Sequence, residues 1–207
     1  MINRLLKNPI IISLLASAVV TLIIAGTGVL NRPDTIVSDA WYQSPKALDG
    51  EIIVIGIDDR ALNEIGPYST WTRDVYAEAL EKLAEDPENA PAVVAIDCLF
   101  IDESDPTSDA RLAAAAEKLG NVVTASFANI GTNVVYDEAT GRTYLDTNAV
   151  LSYDTPYEAL RKVTRQGHIN AMLDSDGILR HSLLSYNVDG ETVYSMAYTA
   201  ALVYGEK

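Results

Sequence analysis

The chain has 207 residues, 48% of them hydrophobic, which is room for an anchor and one domain of ordinary size. Arg4, Lys7 and Arg32 are the only charged residues before Asp34, leaving 12 basic against 29 acidic residues, a formal charge of −17 over residues 34–207. So acidic a region excludes nucleic acid as a partner, because phosphates require Lys and Arg, and the single cysteine, Cys98, excludes an internal disulfide framework.

Ile10–Leu30 contains no charged residue and is long enough to cross the ~30 Å hydrocarbon core as a helix. Arg4 and Lys7 precede it, so the positive-inside rule keeps residues 1–9 in the cytoplasm and places everything after Leu30 outside, in the extracytoplasmic space. A cleaved signal peptide, processed near Ala25-Gly26, is the competing reading. Signal peptides have apolar cores of roughly 7–15 residues, and the longer run here favours an uncleaved anchor. Residues 31–50 form a linker, in which Ile36, Val37, Ala40 and Trp41 fall at helical spacing before Ser44-Pro45.

The domain, residues 51–207, opens on EIIVIGIDD, an apolar run that predicts a central strand buried on both faces and ending at Asp58 and Asp59. A second such strand is predicted over Ala92–Phe100, with Asp97 near its end and Cys98 as a small core residue. Between them Thr72–Glu85 reads as an amphipathic helix, capped by Thr72, with Tyr76, Leu80 and Leu83 on one face. A further helix starts near Asp109, capped by Ser108, with Leu112, Ala116 and Leu119 inward and Gly120 as its stop, before a strand over Asn121–Phe127.

The pattern then changes. Val134–Tyr136 and Thr143–Leu145 flank a Thr-Gly turn, and a short helix over Tyr157–Thr164 follows Pro156. Gly167–Leu173 and Ile178–Asn187 predict a second hairpin, which would make His168 and His181 cross-strand neighbours. An Asp-Gly turn and a helix over Met196–Tyr204, capped by Ser195, complete the chain. The expected fold is α/β: an anchor helix, then one domain with a mixed sheet, parallel central strands flanked by helices, and antiparallel hairpin additions.

Ligands of open α/β sheets sit beyond the carboxyl ends of the strands. Asp58, Asp59, Arg60, Trp71, Arg73 and Asp97 are therefore the candidate ligand-binding or signal-sensitive residues. Asp58, Asp97 and Asp102, with the acidic loop between Asp97 and Asp109, could hold a divalent cation; ion pairing of Arg60 or Arg73 with Asp58 or Asp59 is the favoured alternative, and no cofactor is expected. Asp174-Ser-Asp-Gly begins like a calcium loop, but its twelfth position is Ser185, so it reads as a hairpin turn. No nucleophile-elbow, histidine-metal or glycine-rich phosphate pattern occurs, and the two histidines read as packing or surface residues.

Ile57-Asp58-Asp59, Ala61-Leu62, Ile65-Gly66 and Trp71-x-Arg73 resemble the signature of the second type of CHASE domain. The resemblance continues through Val94-x-Ile96-Asp97-x-x-Phe100, Asp109-x-x-Leu112, Gly167-His168-Ile169-Asn170 and Asp174-x-Asp176-Gly177-x-x-Arg180. Where that family usually has Trp-Pro-Trp-Pro-Arg, this chain has Ser69-Thr70-Trp71-Thr72-Arg73. The resemblance implies an extracytoplasmic, non-enzymatic sensory module of a bacterial receptor, held in the cell membrane by Ile10–Leu30 and sensing a small ligand or a protein signal. It also implies that a cyclase or histidine-kinase output lies beyond Lys207, and it leaves a homodimer open. The residues alone leave two alternatives: an exported metal-dependent hydrolase using Asp58, Asp59 and Asp97, and a protein-interaction module.

Overall fold

A computed structural model describes residues 8–27, 31–42, 50, 52–174 and 176–206, and the chain divides after Gly56 into two units. In the first unit α1 spans Pro9–Thr27 and α2 spans Asn31–Tyr42. The Asn8 carboxamide oxygen caps α1 by accepting from the Ile10 N–H at 3.0 Å. No charge interrupts α1 and none of its side chains is buried, the pattern of a helix apolar all round that has no protein core to pack into. Its 19 residues rise about 28 Å, enough by length and composition to cross a bilayer. Residues 28–30 of the predicted span, Glu51 and the Ser44-Pro45 break lie outside the described residues. In α2, Pro33 falls in the first turn, where its missing N–H would have had no intrahelical partner.

The predicted opening strand does not form. Ile52–Asp58 makes no strand pairing among the described residues, and Ile52, Ile53, Val54 and Ile55 are each at least two-thirds exposed. An apolar run supplies side chains suited to a buried strand, but the strand itself exists only where its N–H and C=O groups find a ladder partner.

In the second unit α3 (Asp59–Ile65) is followed by a 3-10 turn (Tyr68–Thr70) and α4 (Asp74–Leu83). Thr72, expected to cap α4, instead donates its hydroxyl to the Asp74 carboxylate at 3.1 Å, and no side chain caps that helix. β1 is only Val94–Ile96, and α5 spans Pro106–Leu119. The cap of α5 is Asp105 rather than Ser108: its carboxylate accepts from the Ser108 N–H at 2.8 Å, with Pro106 opening the helix. Gly120 ends α5 at φ 68°, its N–H bonding the Ala116 carbonyl.

β2 runs without a break over Val122–Asp137 and turns back into β3, Arg142–Asp154. Asn129–Asn133 carries turn-type residues that made the sequence look interrupted; the sheet absorbs them as register shifts at Asn129/Ile130 and Gly131/Asn133. α6 (Glu158–Val163) leads to β4, Arg165–His168. β1 and β4 both pair parallel with the first part of β2, while β3 pairs antiparallel with the rest, giving a mixed sheet.

The second predicted hairpin is corrected. Gly167 and His168 belong to the parallel sheet, and among the described residues a lone Met172–His181 bridge pairs the two expected arms, so the histidines are not cross-strand neighbours. The hairpin lies further on, β5 (Ser185–Val188) with β6 (Glu191–Tyr194), joined at Asp189-Gly190, where both residues have positive φ. α7, Met196–Gly205, is capped by the Ser195 hydroxyl as expected.

Ala77 and Leu80 of α4, Leu112 and Ala116 of α5, Leu160 of α6 and Val122 of β2 form the core, joined by Phe100 and Tyr157. Leu112 and Leu160 are fully buried, each burial contributing about 1.5–3 kcal/mol. α7 comes so close to β4 that a Cβ on Gly167 would lie 2.4 Å from the Met196 Cα. Backbone cannot yield as a flexible side chain can, so we predict that Gly167→Ala costs about 1–3 kcal/mol in thermal or denaturant unfolding; unchanged stability would show that α7 moves freely.

Candidate functional site

Arg73 lies immediately before α4, and Asp109 lies in the first turn of α5, so packing these two helices together brings opposite charges face to face. Arg73 Nη1 meets Asp109 Oδ1 at 2.5 Å, and the two side chains are only 11% and 7% exposed. The other Arg73 amino group donates to the Asp102 carbonyl oxygen. Asp109 Oδ2 accepts from the Ser104 N–H at 2.8 Å, so both of its oxygens are occupied.

The Arg73 guanidinium lies over the Tyr157 ring at 4.1 Å and beside Phe100 at 5.8 Å. Tyr157 in turn donates its hydroxyl to the Asp109 carbonyl at 2.6 Å, and burial pushes its phenol up to about 12. A second, more exposed link joins the same helices: Arg111 bonds Glu81 at 2.7 and 2.9 Å and Asp74 at 3.1 Å. The result is a clamp on the 97–105 loop. With each carboxylate oxygen of Asp109 held by a donor, the side chain is fixed in position.

The aromatic residues form a row beside this clamp. Trp71 donates its indole N–H to the Gly66 carbonyl at 2.8 Å and contacts Tyr68 and Tyr76, with ring centroids 5.5 and 6.4 Å away; Tyr76 meets Phe100 edge-on at 4.9 Å. Burial and the hydrogen bond to Tyr68 raise the Tyr76 phenol well above its usual range.

The remaining sequence-derived candidates separate. Asp58 caps α3, accepting from the Ala61 N–H at 2.9 Å, Asp59 lies in that helix's first turn, and Arg60 pairs with Glu64 on the exposed surface. Neither Arg60 nor Arg73 is thus committed to Asp58 or Asp59. Asp102 contributes its backbone carbonyl to the clamp and leaves its carboxylate in solvent. Among the described residues no group of three or more His, Cys, Asp or Glu side chains is placed to hold a metal ion. Asp174 and Asp176 both accept from Arg180 at 2.8–2.9 Å, closing the turn with an ion pair that holds the Asp176 carboxyl down at about 2.

Asp97 follows β1 at the carboxyl end of the sheet, where a cleft of about 460 Å³ is lined by Asp97, His168, Ile169, Asn170, Ser195 and Met196 among others. His168 is 2% exposed, and neither ring nitrogen has a hydrogen-bond partner among the described residues. Its ring rests on Tyr186, centroids 4.5 Å apart. Asn170, two residues on, is fully used: its carboxamide accepts from the Ala128 N–H at 2.9 Å and donates to the Ala128 carbonyl at 2.6 Å, extending the strand pairing with a side chain. An unpartnered buried polar group costs about 1–3 kcal/mol, and among the described residues His168 and the Asn121 carboxamide oxygen are the buried side chains left in that state. From the sequence Asp109 belongs to the acidic loop and His168 reads as a packing or surface residue, while Tyr157 carries no site signal; the Asp109-x-x-Leu112 and Gly167-His168-Ile169-Asn170 motifs mark the first two.

The chain thus combines a mixed α/β sheet, a clamped loop and a cleft at the strand ends with one apolar N-terminal helix. The family model of the CHASE2 domain matches residues 14–207, and the chain belongs to that family of extracytoplasmic sensory domains. Comparison with curated proteins and with solved structures gives no match.

Desolvation lowers the pKa of His168 below its ordinary 6.5, with the nearby Leu184 backbone pulling weakly the other way. The unfolded chain therefore takes up this proton first as pH falls. Its contribution to stability is complete above about pH 6.5 and is lost as pH drops through the folded-state value. We predict that His168→Phe flattens the dependence of unfolding free energy on pH between about pH 7 and pH 5; an unchanged slope would mean that His168 is solvated.

Proposed function

We propose that this chain is the signal-input domain of a bacterial membrane receptor, with the N-terminus in the cytoplasm, the main domain outside, and a cyclase or kinase output in the parent protein. The CHASE2 match over residues 14–207 is the observation that carries this reading, since it takes in most of α1 together with the whole second unit. In the proposed mechanism, a ligand at the strand ends binds one of two arrangements of the domain more tightly and shifts their populations. The clamp supports this, because it joins the loop at those strand ends to the starts of α4, α5 and α6. α2, an uninterrupted helix over Asn31–Tyr42, is suited to relay the shift toward the membrane.

A flexible Gly-Ser segment inserted after Ser38 of α2 in the full receptor tests the relay. We expect the receptor to reach the membrane in normal amounts, with its output fixed at one level whatever the growth condition. Output that responds as in the unmodified receptor would contradict the proposal.

A further inference from the structure

The cleft at the carboxyl ends of β1 and β4 has a polarity that selects its occupant. Its wall is largely apolar, with Ile169, Leu183, Met196 and Ala197 among the lining residues, and its volume of about 460 Å³ falls in the range of small-molecule sites. Three charged or titratable side chains besides His168 line it: Asp97, Arg180 and His181. Arg180 is held by Asp174 and Asp176, and His181 meets Asp174 at 3.1 Å. Asp97 has no hydrogen bond or ion pair among the described residues, so the cleft is lined by an uncompensated carboxylate and by a buried imidazole that no side chain among the described residues bonds. An anionic ligand would bring a like charge to Asp97, and a purely apolar one would leave His168 unpartnered.

We infer that the cleft binds a small organic ammonium ion, whose charge is met by Asp97, whose N–H group donates to the unprotonated nitrogen of His168, and whose apolar body lies against Ile169 and Met196. Burial favours the neutral form of His168, in which one ring nitrogen can accept a hydrogen bond. The excess negative charge of residues 34–207 would concentrate such cations near the domain. This assignment deepens the sensory reading and rests on it for its biological meaning, although the binding itself can be measured without any signalling.

The probes are a series of primary ammonium ions from methylammonium to benzylammonium, each paired with the neutral alcohol of the same shape. They are titrated calorimetrically into the full chain in detergent, with the two histidine rings followed by nitrogen NMR. We expect at least one ammonium ion to bind saturably, at least about tenfold more tightly than its alcohol, and to move the His168 ring resonances but not those of His181. Asp97→Asn, a change at an exposed and unpartnered side chain, should remove that preference without altering thermal stability. The inference is overturned if no ammonium ion binds at millimolar concentration, or if binding is equal for amine and alcohol, or if Asp97→Asn leaves it unchanged. Those failures would leave the output test of the α2 insertion untouched, so the site and the sensory role stand or fall separately.

Discussion

The ion pair between Arg73 and Asp109, sealed by Tyr157, is the interaction on which the arrangement of this domain depends. Burying two charges is costly, and the cost is offset only where hydrogen bonds satisfy both groups in full. Here each terminal nitrogen of Arg73 and each carboxylate oxygen of Asp109 has a partner: Arg73 reaches Asp109 and the Asp102 carbonyl, and Asp109 takes Arg73 and the Ser104 N–H. Because the partners come from the approach to α4, the start of α5 and the residue before α6, one pair fixes three helix ends and the intervening loop. A purely apolar contact would hold these elements together without fixing their register.

That loop runs from Asp97 to the start of α5 and therefore forms part of the carboxyl edge of the sheet, the edge where an α/β fold leaves its backbone ends open for ligands. On the other side of the same edge, Gly167 lets α7 close on β4, and the N-terminal residues of α7 enter the lining of the cleft. Of the 97–105 loop Asp97 lines the cleft, and of α7 Met196 and Ala197 do.

Much of this architecture was legible in the sequence, where local chemistry decides the outcome. The apolar N-terminal helix, the inward face of Tyr76, Leu80 and Leu83, the Gly120 stop, the Ser195 cap and the Asp189-Gly190 turn all follow from residues acting within a few positions of one another. Failures came where a partner distant in sequence decides. Ile52–Asp58 has the composition of a central strand but no ladder partner among the described residues, and Gly167-His168 was read into a hairpin because its parallel neighbour, Ser126, lies far back in the chain. The site shows the same division. Arg73 was recognisable as a charge needing a partner, but Asp58 and Asp59, close in sequence, looked nearer than Asp109, which the fold supplies.

A double-mutant cycle on the clamp tests the central claim most directly. Arg73→Met and Asp109→Leu are made singly and together, and unfolding free energies are measured for all four proteins. Each single change strands a buried charge and should cost about 3–5 kcal/mol, whereas the double change should cost far less than the sum, because both charges leave together. If the two losses simply add, the pair is not coupled, and the loop at the sheet edge is held by something other than this interaction.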